Sequence, residues 1–125
     1  MVLSDPIPNV HVISIYCSKM YVKLSSFIDA LNNHLHSSKL TDCSIPVVLL
    51  GDFNVNLMEQ TTEQRALNKC LIKERGYTQL MNQYTTDYHT LIDHIYTNIH
   101  LVKSAGTLES YYSDHKPIYV SFTAL

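Results

Sequence analysis

Residues 47–57 read VVLLGDFNVNL, and this stretch decides the fold. Four branched aliphatic residues run without a break into Gly51, a pattern typical of a strand that is buried on both faces. Asp52 and Asn54 follow at the point where this strand ends. α/β sheets often carry their chemistry on polar side chains at the ends of such strands. The stretch therefore predicts an α/β (or α+β) protein with a functional site beside Asp52 and Asn54.

The composition favours a single folded domain. The chain has 125 residues, of which 46% are hydrophobic and 16% charged, enough apolar side chains for a core. The net charge of -2 gives no basic surface for nucleic acid, although a bound metal ion can offset phosphate charge locally. There is no signal-peptide pattern and no apolar run of about 20 residues, so we expect an intracellular protein that is not secreted and does not bind a membrane. We expect its three cysteines to be reduced thiols.

The rest of the chain predicts strands and helices around this central strand. Residues 1–9 read as a lead-in segment, and 10–125 as the folded part. The order strand, helix, strand before residue 52 predicts two parallel strands joined by a helix. The predicted strands are 10–16, 47–51, 77–81, 91–98 and 118–122, with 101–112 as a strand or an extended loop. The predicted helices run from Ser25 or Ser26 to about Ser38, and from a capping box at Thr61 to a stop at Gly76.

Three polar groups beside strands could form one site. They are Asp52 with Asn54, Asp93, and Asp114 with His115. Carboxylates can orient water or hold a divalent cation, and a protonated imidazole can stabilise the charge of a reacting phosphate. Each group taken alone could equally be ordinary turn chemistry, because Asp and Asn often bond to their own backbone. Their combination favours phosphoester hydrolysis.

Three segments of the chain resemble a known family. GDFN at 51–54, LIDHIY at 91–96 and SDHKPIYVSF at 113–122 resemble the C-terminal motifs of the endonuclease/exonuclease/phosphatase superfamily, which has the DNase I-like fold. They are most similar to the apurinic-type endonuclease domains of transposable elements, either non-LTR retrotransposons or Helitrons. The resemblance implies the C-terminal half of a four-layer αββα sandwich. It also implies hydrolysis of DNA with Mg²⁺ or Mn²⁺, in the nucleus.

The resemblance further implies a role for each matched residue. Asp52 would activate the attacking water or assist the leaving group, and Asn54 would hold the same water or a phosphate oxygen. His115 would contact the scissile phosphate, and Asp93 would orient His115. Asp114 would contribute to the metal or phosphate site.

Tyrosines add three further candidates. Tyr16, at the end of the first strand, resembles a phosphate-contacting Tyr of the family. Tyr84 and Tyr88 lie in the polar loop before the Asp93 strand and are candidates for substrate binding. His94 is adjacent to Asp93 on a strand and points to the other face, so we expect it to pack rather than to react.

The resemblance also implies a metal ligand that residues 1–9 do not supply. In the family, the principal metal ligand is a Glu in an N-terminal half, and nothing before Val10 supplies it. Residues 10–125 therefore correspond to a partial domain, which we expect to bind metal weakly or not at all and to be inactive or impaired alone. We also expect an exposed apolar face on strands 10–16, 47–51, 92–97 and 118–122, to be covered by a partner chain or the missing half. The alternatives are a phosphatase or phosphodiesterase for a small or lipid phosphate, and a non-catalytic remnant of the fold.

Overall fold

The computed structural model describes residues 9–18, 23–40 and 44–123. Residues 1–8 of the predicted lead-in segment lie outside these ranges. Cys43 also lies outside them. Within these ranges, the fold is mixed α+β, with two sheets and two helices. The strands are β1 (His11–Tyr16), β2 (Val47–Asp52), β3 (Thr78–Gln79), β4 (Asp93–Thr97), β5 (Val102–Thr107) and β6 (Ile118–Phe122). The helices are α1 (Leu24–Ser37) and α2 (Thr62–Leu67), and α2 continues as a π-helical segment, Asn68–Glu74.

The larger sheet has the strand order β1-β2-β4-β3. β1 and β2 are parallel and joined through α1, as the strand-helix-strand pattern predicts. β4 runs antiparallel to both of its neighbours, β2 and β3. The carboxyl end of β2 therefore lies beside the amino end of β4, which brings the ends of two predicted motifs to one edge of the sheet.

The central strand is buried on both faces, which confirms the interpretation of residues 47–51. Val47 and Leu49 pack under the two helices with Leu35 and Leu71. Val48 faces the other way and packs with Ile95 in a second apolar cluster. Each of these side chains is at most 2% exposed, so β2 contributes to both cores of the molecule.

The second face of the sheet is covered by a hairpin of β5 and β6, and one prediction is wrong here. We expected residues 10–16, 47–51, 92–97 and 118–122 to share one exposed apolar face. β4 is instead buried throughout, and so are residues 47–49 of β2. The expectation is also wrong for residues 118–122. They instead form the two-stranded sheet with β5, and Ile118, Val120 and Phe122 pack on the cluster that contains Val48 and Ile95. The hairpin leaves β1 uncovered, where Val12 and Tyr16 are 64% and 77% exposed.

The two helices differ in how they begin. The Thr61 side chain caps α2 by accepting from the Gln64 N–H at 3.1 Å, as predicted. The predicted serine cap of α1 is wrong, because the helix begins at Leu24 and has Lys23 at its N-cap position. Gly76, with a φ of 73°, ends the segment that follows α2. In the described ranges, the structure holds no helix that is long and apolar enough to cross a membrane.

Candidate metal and acid–base site

One edge of the larger sheet aligns three of the predicted site residues. Tyr16 is the register partner of Asp52 across the β1–β2 pair, and Asp52 is the partner of Asp93 across the β2–β4 pair. Register partners on neighbouring strands point to the same face of a sheet. Tyr16, Asp52 and Asp93 therefore form a row across three strands, on the face that carries the hairpin.

His115 completes the row from the hairpin side. It lies three residues before β6, and its Nδ1 is 3.0 Å from Asp93 Oδ2. Its Nε2 is 3.9 Å from Asp52 Oδ2. The two carboxylates are mostly buried and the imidazole is about one-third exposed, so the ring remains accessible from solvent. The structure thus brings Asp52, Asp93 and His115 together from three separate motifs.

The surroundings of His115 favour its protonated form. Partial burial alone would lower the pKa of the imidazole. The hydrogen bond to Asp93 and the negative charges of Asp93, Asp52 and Asp114 outweigh this effect, so the His115 pKa is raised above its usual value. A cation at this position, with one nitrogen held by Asp93, can face an anionic ligand with the other.

Gly51 allows the strand to approach β1 closely enough to present Asp52. Its φ is 141°, and a Cβ built at this position would lie 2.0 Å from the carbonyl oxygen of Ile15. Any other residue would push β1 and β2 apart. The motif GDFN therefore has a structural requirement for its glycine that is independent of any chemistry.

A tight turn after Gly51 fixes Asp52 and Asn54. The backbone N–H of Asn54 donates to Asp52 Oδ1 at 2.9 Å, and Asn54 has a φ of 52°. The Asn54 side chain donates through Nδ2 to the carbonyl oxygen of Cys17, at the end of β1. Asp52 and Asn54 therefore do form the side-chain-to-backbone hydrogen bonds of an ordinary turn. The same bonds orient the Asp52 carboxylate toward His115.

Thr85 supports the Asp93–His115 pair, although no motif in the sequence points to it. This side chain is fully buried, and its Oγ1 accepts from the N–H groups of Ile92 and Asp93, both at 3.1 Å. Its carbonyl oxygen accepts from the N–H of Lys116 at 2.8 Å, next to His115. Thr85 therefore ties the start of β4 to the segment that carries His115. A threonine in a polar loop is ordinary turn composition, so the sequence holds no signal for this role.

His94 packs in the core, as predicted. Its ring stacks on Phe53 with centroids 4.8 Å apart, and its Nε2 lies 2.7 Å from the carbonyl oxygen of Val55. Burial lowers the pKa of His94 to about 4, although the carbonyl groups of Val55 and Leu91 act in the opposite direction. The neutral ring must carry its proton on Nε2 to serve these carbonyls, so Nδ1 accepts from the Tyr96 hydroxyl at 3.0 Å.

Asp52, Asp93 and His115 could together hold a metal ion. One ligand atom from each lies within 4.8 Å of the others. Two carboxylates and an imidazole suit first-row divalent cations such as Mn²⁺, whereas Mg²⁺ prefers oxygen ligands. Asp114, the predicted metal ligand, is exposed and does not belong to this group in the described part of the chain.

The tyrosines predicted to bind substrate lie in the loop that supports His115. Thr86 of this loop forms a β-bridge with His115. Tyr88 donates its N–H to Thr86 Oγ1 at 3.2 Å and is exposed. Tyr84 stacks on His89, with ring centroids 4.9 Å apart, and is exposed as well. Both side chains are therefore available to a ligand.

A cavity of about 380 Å³ lies behind the Asp52–Asn54 turn. Its walls include Cys17, Phe53, Asn54 and Glu63. Cys17 is a buried free thiol, and burial together with the charge of Asp52 raises its pKa. Cys70 is also a free thiol and is buried.

Comparisons with known proteins show the fold alone. No protein-family model matches the chain, and no curated protein matches it. Among solved structures, it is similar to a functionally unknown conserved protein from Enterococcus faecalis V583, with a TM-score of 0.55 and 19% sequence identity. The match covers 90% of this chain and 50% of that protein, so this chain spans half the length of its structural neighbour.

Proposed function

We propose that this chain carries a site for divalent-metal-dependent hydrolysis of phosphodiesters in DNA, as in the endonuclease of a mobile element. One observation carries the proposal. His115 is hydrogen-bonded to Asp93 and faces Asp52 with its other nitrogen, and each residue comes from a different motif that resembles the endonuclease/exonuclease/phosphatase superfamily. Turn chemistry explains each motif alone, but it gives no reason for the three to meet.

His115 would bind the scissile phosphate. Its raised pKa favours the imidazolium, and Asp93 fixes the ring by accepting from Nδ1. The Nε2–H, 3.9 Å from Asp52 Oδ2, is then left to donate to a phosphate oxygen that reaches the exposed part of the ring. A charged donor that is already in place stabilises negative charge developing in the transition state.

Asp52 would orient or deprotonate the attacking water. One of its carboxylate oxygens is held by the Asn54 N–H, which fixes the direction of the other. Asn54 uses one Nδ2 hydrogen on Cys17, and the second can donate to a phosphate oxygen. Tyr16 lies beside Asp52 in register and would contact the phosphate from the edge of β1.

The metal ion would be held by the carboxylates of Asp52 and Asp93, because an imidazolium at His115 has no lone pair to offer it. When bound, it would polarise the phosphate and offset its charge. No glutamate belongs to the ligand group in the described part of the chain. We therefore expect weak Mg²⁺ or Mn²⁺ binding and slow hydrolysis by this chain alone.

We propose that the fold is half of a DNase I-like four-layer αββα sandwich. In support, one face of the sheet carries the helices, while the other is only partly covered and leaves Val12 and Tyr16 exposed at β1. A partner chain or a second half would cover this region. As a DNA endonuclease of a mobile element, the protein would act in the nucleus.

Nicking of supercoiled plasmid and cleavage of an oligonucleotide with an abasic site would test the function. We expect slow cleavage that requires Mn²⁺ or Mg²⁺ and falls by about 100-fold or more in Asp52→Asn and in His115→Asn, as expected for loss of an acid–base group. Asp29→Asn is the matched control, because it removes an exposed carboxylate on α1. Cleavage that survives both site substitutions would contradict the proposal. Hydrolysis of p-nitrophenyl phosphate but not of its diester would favour the phosphatase alternative.

A further inference from the structure

Four tyrosines in the segments that carry or adjoin the candidate site are exposed. We call them the tyrosine rim, and their exposed fractions are large: Tyr16 77%, Tyr88 75%, Tyr111 87% and Tyr112 100%. An aromatic ring gains most from burial when it is packed, so a tyrosine usually keeps only its hydroxyl in water. Four rings held almost entirely in solvent near one site require a reason beyond packing.

The chain places the backbone of three of these tyrosines close to the site, and Tyr111 directly precedes one of them. Tyr16 is the register partner of Asp52. Tyr88 bonds to Thr86, which bridges His115. Tyr112 lies only three residues before His115, so their Cα atoms are at most about 11 Å apart. The rim therefore approaches His115 from three separate segments of the chain.

Charge narrows the class of ligand. Duplex DNA is bound mainly through phosphate contacts with Lys and Arg, yet this chain has a net charge of -2 and its site adds the acids Asp52, Asp93 and Asp114. Stacking of a base on an aromatic ring contributes binding free energy that does not come from Lys or Arg. It does need bases that are unpaired, because a duplex hides the base faces in its own stack.

We propose that the tyrosine rim stacks the unpaired bases of single-stranded DNA on either side of a phosphodiester held at His115. This inference deepens the proposed function and rests on it for the phosphate at His115. It assigns the substrate class as single-stranded or locally unpaired DNA rather than intact duplex. The bases would supply most of the binding free energy, and the phosphate would set the position of the strand.

Fluorescence polarisation with a labelled oligonucleotide tests this without hydrolysis when metal is removed by EDTA. The arms are a single-stranded DNA, the same sequence as a blunt duplex, and the same sequence as RNA. The test variant is Tyr111→Ala/Tyr112→Ala, and its conservative partner is Tyr111→Phe/Tyr112→Phe, which keeps the rings. Ile72→Ala is the matched control, because Ile72 is a partly exposed apolar residue on the helical side of the sheet.

We expect the single strand to bind more tightly than the duplex or the RNA. The double alanine variant should weaken this binding by about tenfold or more, given the usual contribution of one stacked base. The phenylalanine variant and Ile72→Ala should bind like the parent chain. The logarithm of affinity should fall with the logarithm of salt concentration with a slope of about 2 or less, equivalent to roughly three phosphate contacts.

Tighter binding of the duplex or of RNA, or an alanine variant that binds like the parent, would overturn the inference. Its failure can be distinguished from failure of the proposed function. Cleavage that depends on Asp52, without rim-dependent binding, would leave the function standing and remove this inference. If the single strand binds through the tyrosine rim but no metal-dependent cleavage occurs, the proposed hydrolysis is wrong and the binding of single-stranded DNA stands.

Discussion

The Nδ1 atom of His115 lies 3.0 Å from a carboxylate oxygen of Asp93, although 22 residues separate the two in the chain. Asp93 begins β4, an inner strand of the larger sheet, and His115 precedes β6 of the hairpin. The pair therefore joins the two sheets at their shared edge. Its geometry depends on how the hairpin packs on the sheet, so the candidate site and the second core are coupled.

Replacing Asp93 should lower the pKa of His115. The Asp93 hydrogen bond and charge are the main causes that raise this pKa against the effect of burial. In Asp93→Asn, we expect the imidazole to titrate at a lower pH, as followed by the ring proton signals in NMR. Asp29→Asn, on α1, should leave the His115 titration unchanged. An unchanged titration in Asp93→Asn would show that the hydrogen bond does not form.

The same pair should make stability depend on pH. A pKa that is raised in the folded state means that protonated His115 stabilises the fold. This stabilisation is complete below the unfolded pKa of about 6.5 and is lost as pH rises through the higher folded pKa. The difference in Tm between the parent chain and His115→Asn should therefore shrink from mildly acidic to alkaline pH. A difference that grows with pH would contradict the ion pair.

His94 should make the fold less stable as pH falls, which is the opposite of the effect of His115. Its pKa falls to about 4 in the folded protein, so unfolding takes up a proton between pH 6.5 and 4. This uptake costs the fold about 3 kcal/mol over the interval, at about 1.4 kcal/mol per pKa unit. His94→Gln should be less stable than the parent at pH 7, and the difference should shrink as pH falls toward 4. Urea denaturation at several pH values measures both, and a constant difference would show that His94 is not held neutral.

Thr85 should be needed for both stability and the His115 titration. Thr85→Val keeps the shape but removes the oxygen that accepts from Ile92 and Asp93. Two buried N–H groups would lose a partner, which typically costs about 1–3 kcal/mol each. The looser Asp93 should also let the His115 pKa fall toward its usual value. Thr85→Ser, which keeps the oxygen, should retain most of both properties.

Gly51 should be far less tolerant of substitution than Gly76. In Gly51→Ala the new methyl group would lie 2.0 Å from the Ile15 carbonyl oxygen, so β1 would have to leave β2. We expect a loss of roughly 4 kcal/mol or failure to fold, since such large effects follow from backbone strain and clashes. Gly76 has a φ of 73° and no atom within 4 Å of a built Cβ, so Gly76→Ala should cost only about 1 kcal/mol. Equal stability of the two variants would contradict the close approach of the strands.

The sequence predicts those features that depend on local pattern. The apolar run 47–50 identifies the central strand because both of its faces are buried, and Thr61 identifies the start of α2 because its side chain can reach Gln64. The prediction that residues 118–122 join the single sheet was wrong. Alternation of apolar and polar residues shows that a strand has an apolar face, but not which sheet it joins. The role of Thr85 could not be predicted from local pattern, because it depends on hydrogen bonds to Ile92, Asp93 and Lys116 that form only in the folded loop.

The most direct test of the central claim is an NMR titration of His115 with a phosphodiester that the chain cannot hydrolyse, such as dimethyl phosphate, or a phosphorothioate dinucleotide. This measurement does not depend on how fast the chain catalyses. The ring signals of His115 and the amide signals of Asp52 and Asp93 should shift to saturation, and His115→Asn should abolish the shifts of the two aspartate amides. If these signals stay in place while the ligand reaches high millimolar concentration, the site does not bind phosphodiesters and the proposed function is wrong.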